Sequence, residues 1–247
     1  MRTTLRVMFG VLFITGASAA DHQAPHWSYE GEQGPTHWAQ MDSGFSTCAL
    51  GQVQSPIDIR NAVEADLPEI DFDYHAGPAE VINNGHTVQV SLPASGGIEI
   101  ADERYALLQF HFHTPSEEKI AGMAYPMVAH FVHQNTEGRL AVVAVLVKEG
   151  KQNPAFVSLF ANLPAQGQKQ ALPSSFDPAR LMPEKRGYYA FEGSLTTPPC
   201  SESVRWQVLK EPIEVSSEQL AAFRHLYPMN ARPTQPLNGR LLQQSRN

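Results

Sequence analysis

Cysteine and positive charge are both scarce in this sequence. Only Cys48 and Cys200 occur among 247 residues, which leaves no cysteine set to hold a metal. Against 18 Lys and Arg stand 25 Asp and Glu, a formal net charge of −7. An acidic balance of this kind argues against nucleic acid or anionic lipid as the main partner and leaves a small neutral or locally steered ligand as the better fit. Beyond the first residues no apolar run is long enough to span a bilayer. Nothing repeats at a fixed period, and the 19 prolines and 17 glycines are spread along the chain without forming a linker. Neither a Gly-x-Ser-x-Gly elbow nor a His-Glu-x-x-His helix is present, which removes two common hydrolase designs.

What is present begins with a leader. Arg2 and Arg6 precede an apolar run from Val7 to Ile14 and the small residues Gly16, Ala17, Ser18 and Ala19. This is the pattern of a secretory signal peptide, with cleavage expected after Ala19 or Ala20. Its apolar core is about half of the roughly 20 residues a membrane span needs. Loss of the two leader arginines takes the formal charge from −7 to −9. The remaining chain, from residue 20 to 247, reads as one domain. In an exported chain the even cysteine pair points to a disulfide over two free thiols, closing a loop of about 150 residues.

Short alternating or apolar runs dominate the middle of the chain, and the segments Thr87 to Leu92, Tyr105 to His113, Pro126 to His133 and Leu140 to Lys148 are expected as strands. The last is apolar from Leu140 to Val147, as a strand buried on both faces should be. Helical signals are few. Asn153-Pro154 can cap a helix running through Ala161, and Ser216 with Gln219 resembles a capping box opening Glu218 to Leu226. A mainly β, single-domain fold with peripheral helices follows.

Histidines carry the chemical signal. In Gln109-Phe110-His111-Phe112-His113 two imidazoles stand at i and i+2, which on a strand puts both on one face about 7 Å apart. A hairpin's length later comes His130, which projects from the same face if the two strands pair antiparallel. Three neutral imidazoles leave the fourth tetrahedral position of zinc open, the arrangement of a catalytic site. The competing reading is a solvated His-x-His pair that scavenges metal without chemistry. His133 lies on the opposite strand face from His130 and is expected as a buried, hydrogen-bonded histidine outside the ligand set.

The wider pattern resembles the α-carbonic anhydrases from Trp27 to about Arg240. The resemblance is carried in order by His26-Trp27-Ser28-Tyr29, Gln54-Ser55-Pro56-Ile57-Asp58-Ile59, Asn83-Asn84-Gly85-His86, the two histidine segments, Gly193-Ser194-Leu195-Thr196-Thr197-Pro198-Pro199-Cys200 and Arg232-Pro233-Thr234-Gln235-Pro236-Leu237. It implies an α+β fold with a central twisted, mostly antiparallel sheet of about ten strands. It implies zinc (Zn2+) on His111, His113 and His130, and reversible hydration of carbon dioxide to bicarbonate and a proton by zinc-activated hydroxide. By the same resemblance Thr196 and Glu117 orient the nucleophile, and Val132, Val142, Leu195 and Trp206 form an apolar wall for CO2. Thr197 contacts bicarbonate, His86 shuttles protons, and Tyr29 and Gln89 hold water between His86 and zinc. Gln109 and the backbone carbonyl of Asn230 support His111 and His113, and Cys48 and Cys200 match a disulfide of exported members.

The resemblance breaks at one pair of positions. Relatives usually carry glutamate two residues before the third histidine, where this chain has Val128, and often histidine or asparagine where it has Glu118. Glu118 is therefore expected to orient His130, against the alternative of an exposed Glu118 with water on His130. The resemblance also allows a homodimer. Two rival functions are a catalytically silent carbonic-anhydrase-like binding domain and a zinc esterase side activity of the same site.

Overall fold

The computed structural model describes residues 25–161 and 163–246, so the leader and its cleavage site lie outside the described residues. Among the described residues, no helix is long and apolar enough to cross a membrane.

Among the described residues a sheet of twelve strands organises the fold. They are β1 (Val63–Ala65), β2 (Ile70–Tyr74), β3 (Glu80–Asn83), β4 (Val88–Ser91), β5 (Gly96–Ile100), β6 (Glu103–His113), β7 (Met127–Gln134), β8 (Leu140–Glu149), β9 (Lys169–Ala171), β10 (Tyr188–Ser194), β11 (Glu202–Val215) and β12 (Gln243–Ser245). Ten of them lie edge to edge in the order β9-β3-β4-β6-β7-β8-β11-β10-β12-β1, while β5 joins β6 on one side and β2 on the other. The path length matches the expected ten, and β2 and β5 add to it. Only β8 with β11 and β12 with β1 pair in parallel within this sheet. A small separate sheet sets Asp58–Ile59 parallel to Lys119–Ile120, which turns back into Met123–Ala124.

The four expected strands form within two residues of their expected ends. β8 is apolar on both faces because each face packs into an apolar cluster, Val143 and Val145 on one side and Val142, Ala144 and Leu146 on the other. β11 was not legible as a strand. Arg205, Lys210, Glu211 and Pro212 interrupt its apolar pattern, and a register shift between Val145 and Val147 of its partner absorbs the irregularity.

One face of the sheet packs under the helices. Phe110, Phe112, Phe131, Val143 and Val145 meet Phe156 of α1 (Pro154–Phe160) and Phe223 of α2 (Ser217–Leu226). The caps are those of the sequence reading. Asn153 Oδ1 accepts from Ala155 N at 3.0 Å, and Ser216 and Gln219 close a reciprocal capping box. Because side chains alternate across a strand, burying the phenylalanines of β6 on this face turns its histidines to the other.

Candidate metal centre and active-site cavity

The register of the sheet builds the site in two rows. Gln89, His111, His130 and Ala144 stand opposite one another across β4, β6, β7 and β8. Two residues along, Gln109, Val132, Val142, Trp206 and Phe191 form a parallel row across β6, β7, β8, β11 and β10. Residues paired directly across strands share a face. The imidazoles therefore adjoin an apolar strip of Val132, Val142 and Trp206, with Leu195 packed against the same cluster. The Trp206 ring meets His130 edge-on at 5.0 Å, and its Nε1 donates to Ser194 O at 3.0 Å. Gly193 permits that approach, since a Cβ there would lie 2.1 Å from Ser55 Oγ and 2.7 Å from Trp206 Cδ1.

One nitrogen from each of His111, His113 and His130 lies within 4.8 Å of the other two. The hydrogen bonds on the outward nitrogens identify which atoms converge. His111 Nδ1 contacts Gln109 Oε1 at 2.9 Å, His113 Nδ1 contacts Asn230 O at 2.7 Å, and His130 Nε2 contacts Glu118 Oε2 at 3.1 Å. Each of these oxygens is an acceptor, so each outward nitrogen carries its hydrogen and donates it. The inward atoms are then two Nε2 and one Nδ1, all with free lone pairs. His113 Nε2 is buried and has no hydrogen-bond partner among the described residues. Burial, reinforced by His130, lowers the pKa of His111 to about 3 and that of His113 well below the usual value. For His130 burial also pulls down, but the Glu118 carboxylate reverses the direction and leaves it raised. Three converging lone pairs with a buried orphan among them fit a divalent, nitrogen-preferring metal such as zinc.

Glu117 sits beneath these rings, fully enclosed. Burial raises its pKa to about 7 against the pull of His130, with Glu118 adding to the rise and the Thr196 hydroxyl and Arg232 N–H opposing it. Oε1 accepts from Arg232 N at 2.8 Å, whereas Oε2 completes no hydrogen bond, so Thr196 stands beside the carboxylate without closing full geometry. Thr196 is held on the loop after β10 by Leu195 N to Ser201 O at 2.9 Å and Cys200 N to Thr197 O at 2.8 Å. Cys200 is in turn bonded to Cys48, 152 positions away in sequence, with Cα atoms 5.0 Å apart.

A cavity of about 140 Å³ opens over the histidines, lined in part by Trp27, Tyr29, His86, Gln89, His111 and Thr197. His86 leaves the Asn84-Gly85 turn, where Asn84 Oδ1 accepts from His86 N at 2.9 Å, and β4 begins two residues later. Its ring stacks on Trp27 at 3.7 Å, with His26 edge-on at 5.6 Å behind it. Burial, aided by His26, lowers its pKa. Tyr29 OH is buried without a hydrogen-bond partner among the described residues, and burial raises its pKa well above the usual value. His133 is on the far face, as expected, bonded to Tyr74 OH at 2.7 Å and Ala141 O at 3.3 Å.

The sequence reading missed Arg232. Its guanidinium donates to Gln54 Oε1, Ser55 O and Cys48 O at 2.9, 2.7 and 2.9 Å, while its backbone N–H holds Glu117. It thus joins the disulfide segment, the Gln54-Ser55 loop and the buried carboxylate. Only its place in the matched Arg232-Pro233-Thr234 segment could have singled it out.

A family model described as eukaryotic-type carbonic anhydrase matches residues 33–246. Over 243 residues the chain is 40% identical to a carbonic anhydrase of Pectobacterium carotovorum, covering 98% of each, and over 223 residues 44% identical to one of Klebsiella pneumoniae, covering 89% and 91%. The α-carbonic anhydrase of Thermovibrio ammonificans, solved with sulfanilamide, superposes with a TM-score of 0.86 at 45% identity, over 88% of this chain and 98% of that one.

Proposed function

Since the chain belongs to the eukaryotic-type, or α, carbonic anhydrases and is an enzyme of the lyase class, we propose that it hydrates CO2 reversibly at a zinc ion held by His111 Nε2, His113 Nε2 and His130 Nδ1. The convergence of three imidazole nitrogens within 4.8 Å carries this reading. When bound, zinc lowers the pKa of water to about 7 and so supplies a nucleophile at neutral pH, carbonic anhydrase being the standard instance of that effect.

The protein's own residues do the rest. An ionised Glu117 can only accept, so the Thr196 hydroxyl donates its hydrogen bond to it and the Thr196 oxygen is left to accept from the nucleophile, aiming a lone pair at the carbon of CO2. A dication at the three nitrogens favours that ionised state over the neutral one that burial alone favours. CO2 has no dipole, and the strip of Val132, Val142, Leu195 and Trp206 receives it without competing hydrogen bonds. Thr197 is the contact for bicarbonate. The proton released per turnover leaves through His86, whose lowered pKa keeps the imidazole neutral and able to accept at pH 7. Tyr29 and Gln89 supply polar atoms along the cavity wall on that route. The leader and the Cys48–Cys200 bridge support an exported, periplasmic or secreted enzyme.

Stopped-flow CO2 hydration by the purified chain, before and after chelation and again with zinc restored, tests the proposal. Turnover lost and regained with zinc is expected. Metal-independent turnover overturns the mechanism, and a zinc-loaded chain without turnover returns the reading to a silent binding domain.

A further inference from the structure

The three histidines are not supported alike. His111 and His113 donate to neutral oxygens, the Gln109 amide and the Asn230 carbonyl. His130 alone donates to a carboxylate, and both side chains of that contact are sealed, 2% and 0% exposed. A charge-assisted bond in such surroundings is stronger than a neutral one and fixes the ring more firmly.

Glu118 reaches His130 from outside the histidine strands. It lies in the segment that leaves β6, where its carbonyl accepts from Ser116 Oγ at 2.7 Å. The next residue, Lys119, donates its N–H to Ile57 O at 3.2 Å and pairs in parallel with Asp58. The backbone at Glu118 is therefore anchored to the small sheet and not to β7. Its second oxygen, Oε1, makes no hydrogen bond among the described residues. A carboxyl group is rarely buried unless something there uses it, and the one polar contact that accounts for this burial is His130.

The position on β7 from which a carboxylate would reach the same ring is Val128. Residues i and i+2 share a strand face, and Val128 stands opposite His113 on β6 and Leu146 on β8, fully buried among apolar side chains. Nothing on β7 competes with Glu118 for His130 Nε2.

We propose that Glu118 is the positioning residue that locks His130 in the tautomer presenting Nδ1 to the metal, doing from the loop what a carboxylate at Val128 would do from the strand. This rests on the reading of His130 as a zinc ligand. The two can be separated, because the tautomer of His130 is defined in the metal-free protein as well.

The experiment compares wild type, Glu118→Gln, Glu118→Ala, Val128→Glu and the Glu118→Ala/Val128→Glu pair. It reads zinc release to a competing chelator, ring ¹⁵N shifts of His130 in the metal-free chain, and thermal unfolding as a check on the fold. Glu118→Ala should weaken zinc retention by about 10- to 100-fold, the usual cost of losing a ligand's hydrogen-bond partner. It should also abolish the fixed Nε2–H signature in the metal-free protein. Adding Val128→Glu should recover part of both. If Glu118→Ala does not fold, Glu118→Gln carries the test, with a smaller but measurable loss of zinc retention expected. A folded Glu118→Ala or Glu118→Gln chain with wild-type zinc retention overturns the proposal, as does a metal-free wild type whose His130 carries its hydrogen on Nδ1. A wild-type chain that binds no zinc while keeping the Nε2–H signature would sink the metal reading and leave the positioning by Glu118 standing.

Discussion

Replacing Arg232 by methionine keeps most of the apolar stem and removes the guanidinium, so it isolates what the buried charge contributes. Two opposing effects set the magnitude. Three hydrogen bonds from a charged donor are lost, to Gln54 Oε1, Ser55 O and Cys48 O, each worth about 1.5–3 kcal/mol. Against this, the fold no longer has to bury a cation that is only 3% exposed. Burial there pulls the Arg232 pKa from 12.5 to about 10, with Glu117 opposing, which corresponds to a burial cost of about 3 kcal/mol. The hydrogen bonds win, and the net loss should be about 1.5–6 kcal/mol, the three bonds together less the burial cost. For a domain of this size that lowers the melting temperature by about 3–24 °C. Urea unfolding of the oxidised protein measures it. Because Arg232 donates to Cys48 O, its loss should be non-additive with removal of both cysteines, by about 0.5 kcal/mol or more. A variant within 1 kcal/mol of wild type would show that the guanidinium network does not hold the loops around Glu117.

Reducing the Cys48–Cys200 bridge, whose partners are 152 residues apart, should cost about 2–5 kcal/mol and lower activity before gross unfolding by loosening the Thr196 loop; two reactive thiols on the native protein would rule the bridge out. His86→Ala should slow CO2 hydration in dilute, bulky buffer by about tenfold or more, with partial rescue by imidazole and unchanged zinc content, and full activity there would make His86 a bystander. Burial lowers the His133 pKa to about 4, with the hydrogen bonds it donates to the backbone carbonyls of Ala141 and Phe131 opposing. The unfolded chain therefore binds the extra proton first, and the stability that neutral His133 contributes is present above about pH 6.5 and lost as pH falls toward 4, by about 3 kcal/mol. Ring NMR that found His133 titrating near 6.5 in the folded protein would contradict this.

The central strands were legible because their patterns are strong: β6 alternates phenylalanine with histidine, and β8 is apolar from Leu140 to Val147. From these the spacing of His111 and His113 follows directly, and His130 needs only antiparallel pairing, which the sheet provides. β11 was hidden because its polar interruptions and Pro212 are compensated by a register shift that depends on β8. The apolar strip came from resemblance alone; its physical basis is the cross-strand row from Val132 to Trp206, which no local pattern reveals. Arg232 escaped for the same reason, since its partners Cys48, Gln54 and Glu117 lie more than a hundred residues away in sequence. At Glu118 and Val128 the departure from the resemblance was visible in the sequence, but only the fold brings the Glu118 carboxylate to 3.1 Å from His130 Nε2.

The central claim is that three imidazoles hold a catalytic zinc with one position left open. X-ray absorption on the zinc-reconstituted chain, paired with metal analysis of the wild type and His113→Ala, tests it most directly. One zinc per wild-type chain is expected, with nitrogen or oxygen neighbours at about 2.0–2.1 Å, a multiple-scattering signature of three imidazoles and no sulfur near 2.3 Å, and His113→Ala should retain metal far more weakly. Sulfur in the coordination shell, or a His113→Ala chain that holds zinc as wild type does, would contradict the site.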